Sequence, residues 1–383
     1  MALVHFNTAG AGLPASSTVE AMTAYLLSES RYGAYETEAS YAQTLNGTRN
    51  RLAGLLGVAS SDQIALFDSG TRAWHTCVNA ITTWPRGGRV WTTPYEYAGN
   101  LLALQTLCRR FELHLQVIPT TGDGELDLDW MMEQADDRLC LVSIVHIPSA
   151  CGTVLPIDTI GKILREGSPQ ALYAVDACQS VGQLSINCVE IGCDLLTAAG
   201  RKFLRGPRGT GFAFVSSRWL ARAGDHPVDL HAADVKSLNE RHVHDGTARR
   251  LELTEMHCAA IVGLGDAIAN AEKIDLGEAR ALYRELGDRL RDNPKLSVLS
   301  PGRNHSGILS FVHRNCAAAT VVEHLRACRI NAWVIKGTHT PLYMSREKID
   351  TAVRLSLHCT NQASDLDLLD QALFTLEQRN LIS

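Results

Sequence analysis

The chain has 383 residues, of which 45% are hydrophobic and 20% charged, and its formal net charge is −5. This length and composition predict a soluble globular protein with a large core and two or more domains. The slightly acidic balance leaves no dominant basic stripe for a nucleic acid, and no apolar run reaches the length of a membrane span.

The eleven cysteines are scattered along the chain and include no CxxC pair. This pattern predicts reduced thiols in a cytoplasmic protein and argues against both a disulfide framework and a zinc site. The N-terminus lacks a basic segment followed by a long apolar one, so we expect no signal peptide.

Helical and strand patterns alternate through the first two thirds of the chain, as in an open α/β sheet. Helices are predicted over 14–27, with Pro14 near the start, and over 41–56, before Gly57. The run 139–145 is nearly all apolar, which is typical of a strand buried on both faces. The predicted strands of this part are 64–67, 89–92, 115–118, 139–145, 171–176, 193–199 and 210–215.

After about residue 255 the pattern changes to a smaller α+β unit. A long apolar helix is predicted over 256–271. The charged, histidine-rich stretch 221–243 before it predicts a surface excursion. The unit itself is predicted to contain strands at 307–312 and 352–357 and helices at 317–328 and 364–378.

An acid and an amine follow two apolar strands of the predicted sheet. Asp176 ends the strand 171–176, and Lys202 follows the strand 193–199 and precedes a glycine-rich turn. A pyridine-ring aldehyde cofactor needs both groups, because the amine forms an imine and the carboxylate keeps the ring nitrogen protonated. The alternatives are a solvated surface lysine and an aspartate that caps the next helix.

The motif Asp-x-x-Gln at 176–179, followed by Gly-Arg-Lys at 200–202, resembles the class V branch of fold-type I pyridoxal-phosphate (PLP) enzymes. That branch includes aminotransferases, cysteine desulfurases and cysteine-conjugate C–S lyases. The resemblance implies a large α/β domain with a mainly parallel seven-stranded sheet (15–255) and a smaller α+β domain (1–14 and 256–383). It also implies a homodimer with the active site at the subunit interface and a small amino-acid substrate.

The resemblance assigns several residues to the cofactor besides Lys202 and Asp176. Gln179 would donate a hydrogen bond to the phenolate oxygen of the cofactor, with Ser149 close to the same oxygen. Tyr97 would stack on the ring, the alternative being a tyrosine packed in the sheet.

The phosphate end is expected at the turn that follows the strand 64–67. The residues Gly70, Thr71 and Arg72 resemble the family's Gly-Thr-Thr turn, with Arg72 in place of the second threonine. Arg201 stands where the desulfurase pattern has a histidine. Arg72 and Arg201 would together take over the charge of the phosphate, because arginine binds phosphate in a fork.

The substrate is expected on the other side of the cofactor. Arg354 matches the family's carboxylate-binding arginine, and its place between apolar neighbours predicts an inward side chain. His358 follows it as in many relatives. Ala11 lies in the loop 7–12, which resembles the family's substrate-pocket loop. The segment 248–254 is expected at the dimer interface, where Arg250 or Thr254 would reach the phosphate of the other subunit.

The sequence favours one reaction among those that PLP allows. A desulfurase is disfavoured, because the loop 336–343, where its acceptor cysteine belongs, contains no cysteine. The closest likeness is to C–S lyases of ergothioneine and lincosamide-type pathways, including antibiotic biosynthesis. Such an enzyme would use Lys202 to remove the α-proton of a cysteine S-conjugate and release a thiol, pyruvate and ammonia.

Two alternatives remain. The same site could serve an aminotransferase, an epimerase or a decarboxylating oxidative deaminase of a similar conjugate. A non-catalytic regulator or scaffold is disfavoured, because Lys202 and Asp176 are both kept and no DNA-binding module is expected in the chain.

Overall fold

A computed structural model describes residues 3–244 and 246–380, the last two of these by their backbone alone. The described helices are α1 (Ser16–Tyr32), α2 (Ala34–Ser40), α3 (Ala42–Leu55), α4 (Gly70–Asn79), α5 (Ala98–Phe111), α6 (Leu128–Gln134), α7 (Ile157–Gly167), α8 (Cys188–Ile191), α9 (Ser217–Arg222), α10 (Cys258–Ala271), α11 (Gly277–Asp292), α12 (Ala318–Ala327), α13 (Pro341–Arg346) and α14 (Ala363–Asn380). The described strands are β1 (Val4–His5), β2 (Ile64–Phe67), β3 (Arg89–Thr92), β4 (His114–Val117), β5 (Leu139–Val145), β6 (Leu172–Asp176), β7 (Leu195–Ala199), β8 (Gly211–Val215), β9 (Ala233–Ser237), β10 (Glu240–Val243), β11 (Leu296–Leu299), β12 (Ile308–His313), β13 (Ile330–Asn331), β14 (Trp333–Lys336) and β15 (Thr351–Ser356).

The largest sheet has seven strands in the order β2-β8-β7-β6-β5-β3-β4, which confirms the predicted seven-stranded sheet. Strand β8 runs antiparallel to the other six strands of this sheet, which all run in one direction. The carboxyl ends of β2, β3, β5, β6 and β7 therefore lie at the same edge. In an open α/β sheet this is the edge where a ligand binds.

The central strands are apolar throughout because both faces of the sheet are covered. Along β6, Tyr173 and Val175 belong to one core cluster, and Leu172 and Ala174 belong to the cluster on the opposite face. Successive side chains of a strand point to opposite faces, so a strand between two cores needs apolar residues at nearly every position. The exception is Asp176, the last residue of β6.

A second, antiparallel sheet has the strand order β11-β12-β15-β14 and forms its own core with α12 and α14. The N-terminal residues join it, since β1 pairs with β13 and Asn7 bridges to Ser356. The domain limits at 14/15 and 255/256 stay a prediction. Helix α10 follows the second limit, yet its buried Ile261 and Leu264 belong to a core cluster of the large sheet.

Residues 221–243 include a two-stranded antiparallel hairpin, β9 and β10, that extends into solvent as expected. Its tip carries Leu238, which is 98% exposed, and Val235 of β9 is 82% exposed. None of the helices in the described ranges is both long and apolar enough to cross a membrane.

Candidate active site

The loops that follow the carboxyl ends of the large sheet enclose a cavity of about 340 Å³. Strand β6 contributes Asp176 at its end, and the turn after β7 contributes Lys202. Across the cavity, β15 of the second sheet contributes Arg354. The cavity therefore lies between the two sheets, and its polar groups come from residues far apart in the sequence.

Asp176 is a buried carboxylate that forms no salt bridge within the described ranges, although the charge of Lys202 in the same cavity acts on it. Its Oδ1 accepts a hydrogen bond from the backbone N–H of Cys178 at 2.9 Å, and its Oδ2 accepts one from Nδ2 of Asn100 at 2.7 Å. The side chain is buried and lines the cavity. A buried carboxylate is costly unless it is compensated, so this position suits a ligand that brings a positive charge.

Lys202 lies in a tight turn held from two sides. The backbone N–H of Gly206 donates to the carbonyl of Gly200 at 2.8 Å, and that of Gly12 donates to the carbonyl of Arg201 at the same distance. Among residues 3–244 and 246–380, no hydrogen bond or ion pair holds the Lys202 amine. Burial lowers the pKa of this amine, which increases the neutral, nucleophilic fraction.

The turn between β2 and α4 lines another part of the cavity. Ser69 caps α4 by accepting the backbone N–H of Arg72 at 3.1 Å, and Gly70 and Thr71 line the cavity. A Cβ at Gly70 would lie 2.5 Å from the sulfur of Cys178, so this turn packs against the end of β6 only with glycine. The free N–H groups at a helix start can hold a phosphate.

Three arginine side chains line the cavity, and none forms an ion pair in the part of the chain that the structure describes. Arg354 is buried and donates to Asn7 Oδ1 at 3.2 Å and to the carbonyl of Ser149 at 3.5 Å, while its Nε has no partner. Burial and the charge of Arg201 lower the pKa of Arg354 to about 10. Burial and the neighbouring Arg208 likewise lower the pKa of Arg201. The part of the cavity wall that these arginines form suits anionic groups.

The remaining predicted residues at this cavity contribute polar or aromatic groups. Gln179 is buried, with its Nε2 donating to the carbonyl of Ala9 at 3.2 Å and its Oε1 without a partner. Tyr97, at the start of α5, is 39% exposed. In all, the structure brings together ten predicted residues: Lys202, Asp176, Gln179, Gly70, Thr71, Tyr97, Ser149, Arg201, Arg354 and Ala11.

The structure places two predicted residues, Arg72 and His358, outside this cavity. Arg72 is the third residue of α4, and its exposed side chain lies beside a separate cavity of about 390 Å³. His358 is buried, its Nε2 lies 3.0 Å from the carbonyl oxygen of Gly182, and its ring packs on Phe203. We therefore correct the expected role of Arg72 at the phosphate and of His358 at the substrate.

In the segment 248–254, Arg250 was expected to reach the cofactor phosphate of the other subunit, but its side chain points into its own subunit. The Arg250 side chain is buried and donates to the backbone carbonyls of Leu220 and Ala223 at 2.7 and 3.3 Å. These bonds hold it inside its own subunit. Thr254 lies near the surface, where its hydroxyl is 3.1 Å from Nδ1 of His231.

Sequence reasoning missed several residues of the site. Asn100 lines the cavity and bonds Asp176, and the buried Glu96 lies behind it. The helical spacing rule gave no signal for this pair, because Glu96 precedes the N-cap Tyr97 and only Asn100 belongs to α5. The other missed cavity residues are Cys178, Arg208, Trp333 and His339.

The residues of the cavity fit the predicted PLP. The uncompensated Asp176 suits the ring nitrogen, the helix start at Gly70 suits the phosphate, and the unpaired amine of Lys202 suits the aldehyde. The partnerless Oε1 of Gln179 and Nε of Arg354 show further polar capacity that other described residues leave unused. A bound polar molecule would give both of these atoms a hydrogen-bond partner.

The comparisons with known proteins agree with this geometry. The model of the family "Aminotransferase class-V" matches residues 4–369. A probable cysteine desulfurase of Pyrococcus abyssi is 26% identical, over 95% of this chain and 92% of its own. One of Methanothermobacter thermautotrophicus is also 26% identical, over 93% and 90% of the two chains.

Solved structures share the fold. The cysteine desulfurase of Thermococcus onnurineus has a TM-score of 0.89 and 22% identity, over 98% of this chain and 94% of its own. A cystine C–S lyase in complex with cysteine persulfide has a TM-score of 0.85 and 19% identity, over 97% of both chains. At these identities the likeness supports the predicted fold-type I architecture alone. Because the family model covers nearly the whole chain, the protein belongs to the aminotransferase class-V family of PLP-dependent enzymes.

Proposed function

We propose that the protein is a C–S β-lyase that cleaves a cysteine S-conjugate to a thiol, pyruvate and ammonia. The observation that carries this proposal is a cavity that combines Lys202, Asp176 and Arg354 and whose one cysteine among the described lining residues, Cys178, has a thiol pKa raised by burial. Relatives named cysteine desulfurases support cleavage of a carbon–sulfur bond in this family. Without an acceptor thiol, the sulfur would leave with its own substituent.

Arg354 would bind the α-carboxylate of the substrate. Its guanidinium is held by Asn7 and Ser149, and the partnerless Nε leaves one edge for a carboxylate. A two-point contact with a carboxylate fixes orientation as well as position. The α-carbon would then face Lys202 within the same cavity.

Lys202 would move the α-proton. When bound, PLP supplies an electron-accepting ring that stabilises negative charge at the α-carbon. Because burial lowers the pKa of the Lys202 amine, a larger fraction of Nζ is neutral and able to accept a proton. Asp176 would hold the proton on the ring nitrogen. The second hydrogen of Gln179 Nε2, whose first is donated to the carbonyl of Ala9, would be donated to the phenolate oxygen.

The cysteines around the cavity do not resemble a sulfur acceptor. The segment 336–343 contributes His339 to the cavity and contains no cysteine. Cys178 lines the cavity, but burial and then the charge of Asp176 raise the pKa of its thiol well above the usual range. The thiolate is the nucleophile, so Cys178 would stay unreactive.

The test is incubation of the PLP-loaded enzyme with S-alkyl-cysteines, with the free thiol and pyruvate both measured. We expect equal amounts of the two products and no turnover by Lys202→Ala. Thiol without pyruvate, or a keto acid or aldehyde that retains sulfur, would contradict the lyase and favour the alternative reactions.

We further propose that two copies of the chain form a homodimer with the active site near their interface. Helices α1 and α2 expose Leu27, Tyr32 and Tyr35, at 50%, 68% and 80%. Tyr35 also lines a cavity with Arg249 and Thr254, in the segment that the family resemblance places at the interface. The cytoplasmic location and a role in antibiotic biosynthesis stay predictions.

A further inference from the structure

A second buried carboxyl group, Glu96, lies directly behind Asp176. Its side chain is 0% exposed, and the proposed reaction does not use it. A single amide nitrogen, Nδ2 of Asn100, lies 3.0 Å from Glu96 Oε1 and 2.7 Å from Asp176 Oδ2. This nitrogen has two hydrogens, so it can donate one to each acid and fix their relative orientation.

The other hydrogen-bond partners of Glu96 are neutral. Its Oε1 accepts the backbone N–H of Tyr97 at 2.9 Å, and its Oε2 accepts the hydroxyls of Thr92 and Ser143, each at 3.1 Å. Helix α5 and strands β3 and β5 thus present neutral donors. The charged group that acts most strongly on Glu96 is Asp176 on β6, and no cation pairs with Glu96 within the described ranges.

This arrangement couples the charges of the two acids. Burial and then the negative charge of Asp176 raise the pKa of Glu96 to about 7. A cation beside Asp176 would favour ionisation of Glu96. By the same coupling, an ionised Glu96 would favour a proton on a nitrogen held by Asp176.

We propose that Glu96 is a positioning residue for PLP: through Asn100 it orients the Asp176 carboxylate and helps to keep the ring nitrogen protonated as the pH rises. The hydroxyls of Thr92 and Ser143 can each donate or accept, so the network can satisfy Glu96 in either protonation state. The inference rests on the proposed pairing of Asp176 with the ring nitrogen, and it does not depend on which substrate bond is cleaved.

The test is a pH titration of enzyme loaded with PLP that is isotope-labelled at the ring nitrogen. The nitrogen NMR shift reports directly whether the ring is protonated. We expect Glu96→Gln, which keeps the shape of the side chain but removes the charge, to weaken proton binding at the ring about tenfold, one pH unit. Asn100→Leu, which removes the bridge, should weaken it at least as much.

Two further variants separate the possible outcomes. Gln105→Ala, at an exposed position of α5 that contacts neither acid, is the control and should titrate like the unmodified enzyme. Asp176→Asn should lower ring protonation more than any other variant, and if it does not, the pairing with Asp176 itself fails. If Asp176→Asn has its effect while Glu96→Gln matches the unmodified enzyme, or shifts no more than Gln105→Ala, the role of Glu96 is overturned.

Discussion

Arg354 shows at the scale of one residue how burial creates a binding site. Its guanidinium has lost solvent without gaining a carboxylate partner among the described residues, and this lowers its pKa. A substrate carboxylate would relieve that cost, so recognition and desolvation act together. The same reasoning applies to Asp176 and to the cationic ring that it would hold.

We predict that Arg354→Lys weakens substrate binding while leaving the cofactor in place. A lysine cannot reproduce the two-point contact, so KM should rise about tenfold or more. Steady-state kinetics with an S-alkyl-cysteine, together with the visible absorbance of bound PLP, measure the two properties separately. Arg110→Lys, on the exposed face of α5, is the matched control. An unchanged KM in Arg354→Lys would remove Arg354 from the substrate site.

Glu96 gives a prediction for the cofactor-free protein. Its pKa is raised from 4.5 to about 7, so the folded state holds a proton that the unfolded state has released. The stability that this group contributes is present below about pH 4.5 and is lost as the pH rises through 7. As Glu96 ionises, the unmodified protein should lose up to about 3 kcal/mol of unfolding free energy that Glu96→Gln, which has no such proton to release, should keep.

Denaturant unfolding of the cofactor-free protein at several pH values measures that effect. The difference in unfolding free energy between Glu96→Gln and the unmodified protein should grow in favour of the variant across this pH range. A difference that stays constant with pH would show that Glu96 titrates normally.

At the scale of elements, the pairing of β2 with β8 sets the position of the turn before α4. Phe67 pairs with Gly211, and a Cβ at Gly211 would lie 2.5 Å from the backbone nitrogen of Gly70. We predict that Gly211→Ala displaces this turn, destabilises the fold by about 1–3 kcal/mol and weakens PLP binding. Gly122→Ala, where a Cβ meets nothing within 4 Å, is the control.

Thermal unfolding and equilibrium binding of PLP measure the two parts of that prediction. Equal PLP affinity in Gly211→Ala and Gly122→Ala would mean that the turn before α4 does not hold the phosphate.

The elements that the sequence predicted best are strands whose residues are nearly all buried. The strands 64–67 and 139–145 have their predicted bounds because nearly all of their residues are apolar. The strand 89–92 also has its predicted bounds, although it begins with Arg89 and ends with Thr92. The direction of Arg72 could not be predicted in the same way. It depends on where α4 begins, and Ser69 as its cap places Arg72 on the exposed side.

Lys202 and Asp176 were expected in one cavity, and both line it, because each follows or ends a strand whose carboxyl end lies at the same edge of the sheet. Their roles stay predictions. The network of Glu96 and Asn100 was missed because each of its bonds depends on tertiary neighbours from different strands. His358 was misplaced for a similar reason, since its partners at Gly182 and Phe203 are distant in sequence.

At the scale of the whole molecule, the exposed apolar residues of α1 and α2 are where the proposed homodimer would bury surface. Burying a side chain such as Tyr35 or Leu27 contributes about 1.5–3 kcal/mol to association. We predict a dimer in analytical ultracentrifugation and dissociation by the double variant Leu27→Glu, Tyr35→Glu. Val189→Glu, at a residue that is 67% exposed on α8, should remain dimeric. A monomeric unmodified protein would contradict the proposed assembly.

The central claim is that the Lys202 amine binds the aldehyde of PLP covalently, with Asp176 holding the ring nitrogen. The most direct measurement is borohydride reduction of the PLP-loaded protein followed by peptide mass mapping. We predict that the cofactor mass is found on the peptide that contains Lys202, and that Lys202→Ala carries no such label while Lys162→Ala does. A label on another lysine, or an unmodified Lys202 after loading and reduction, would contradict the account.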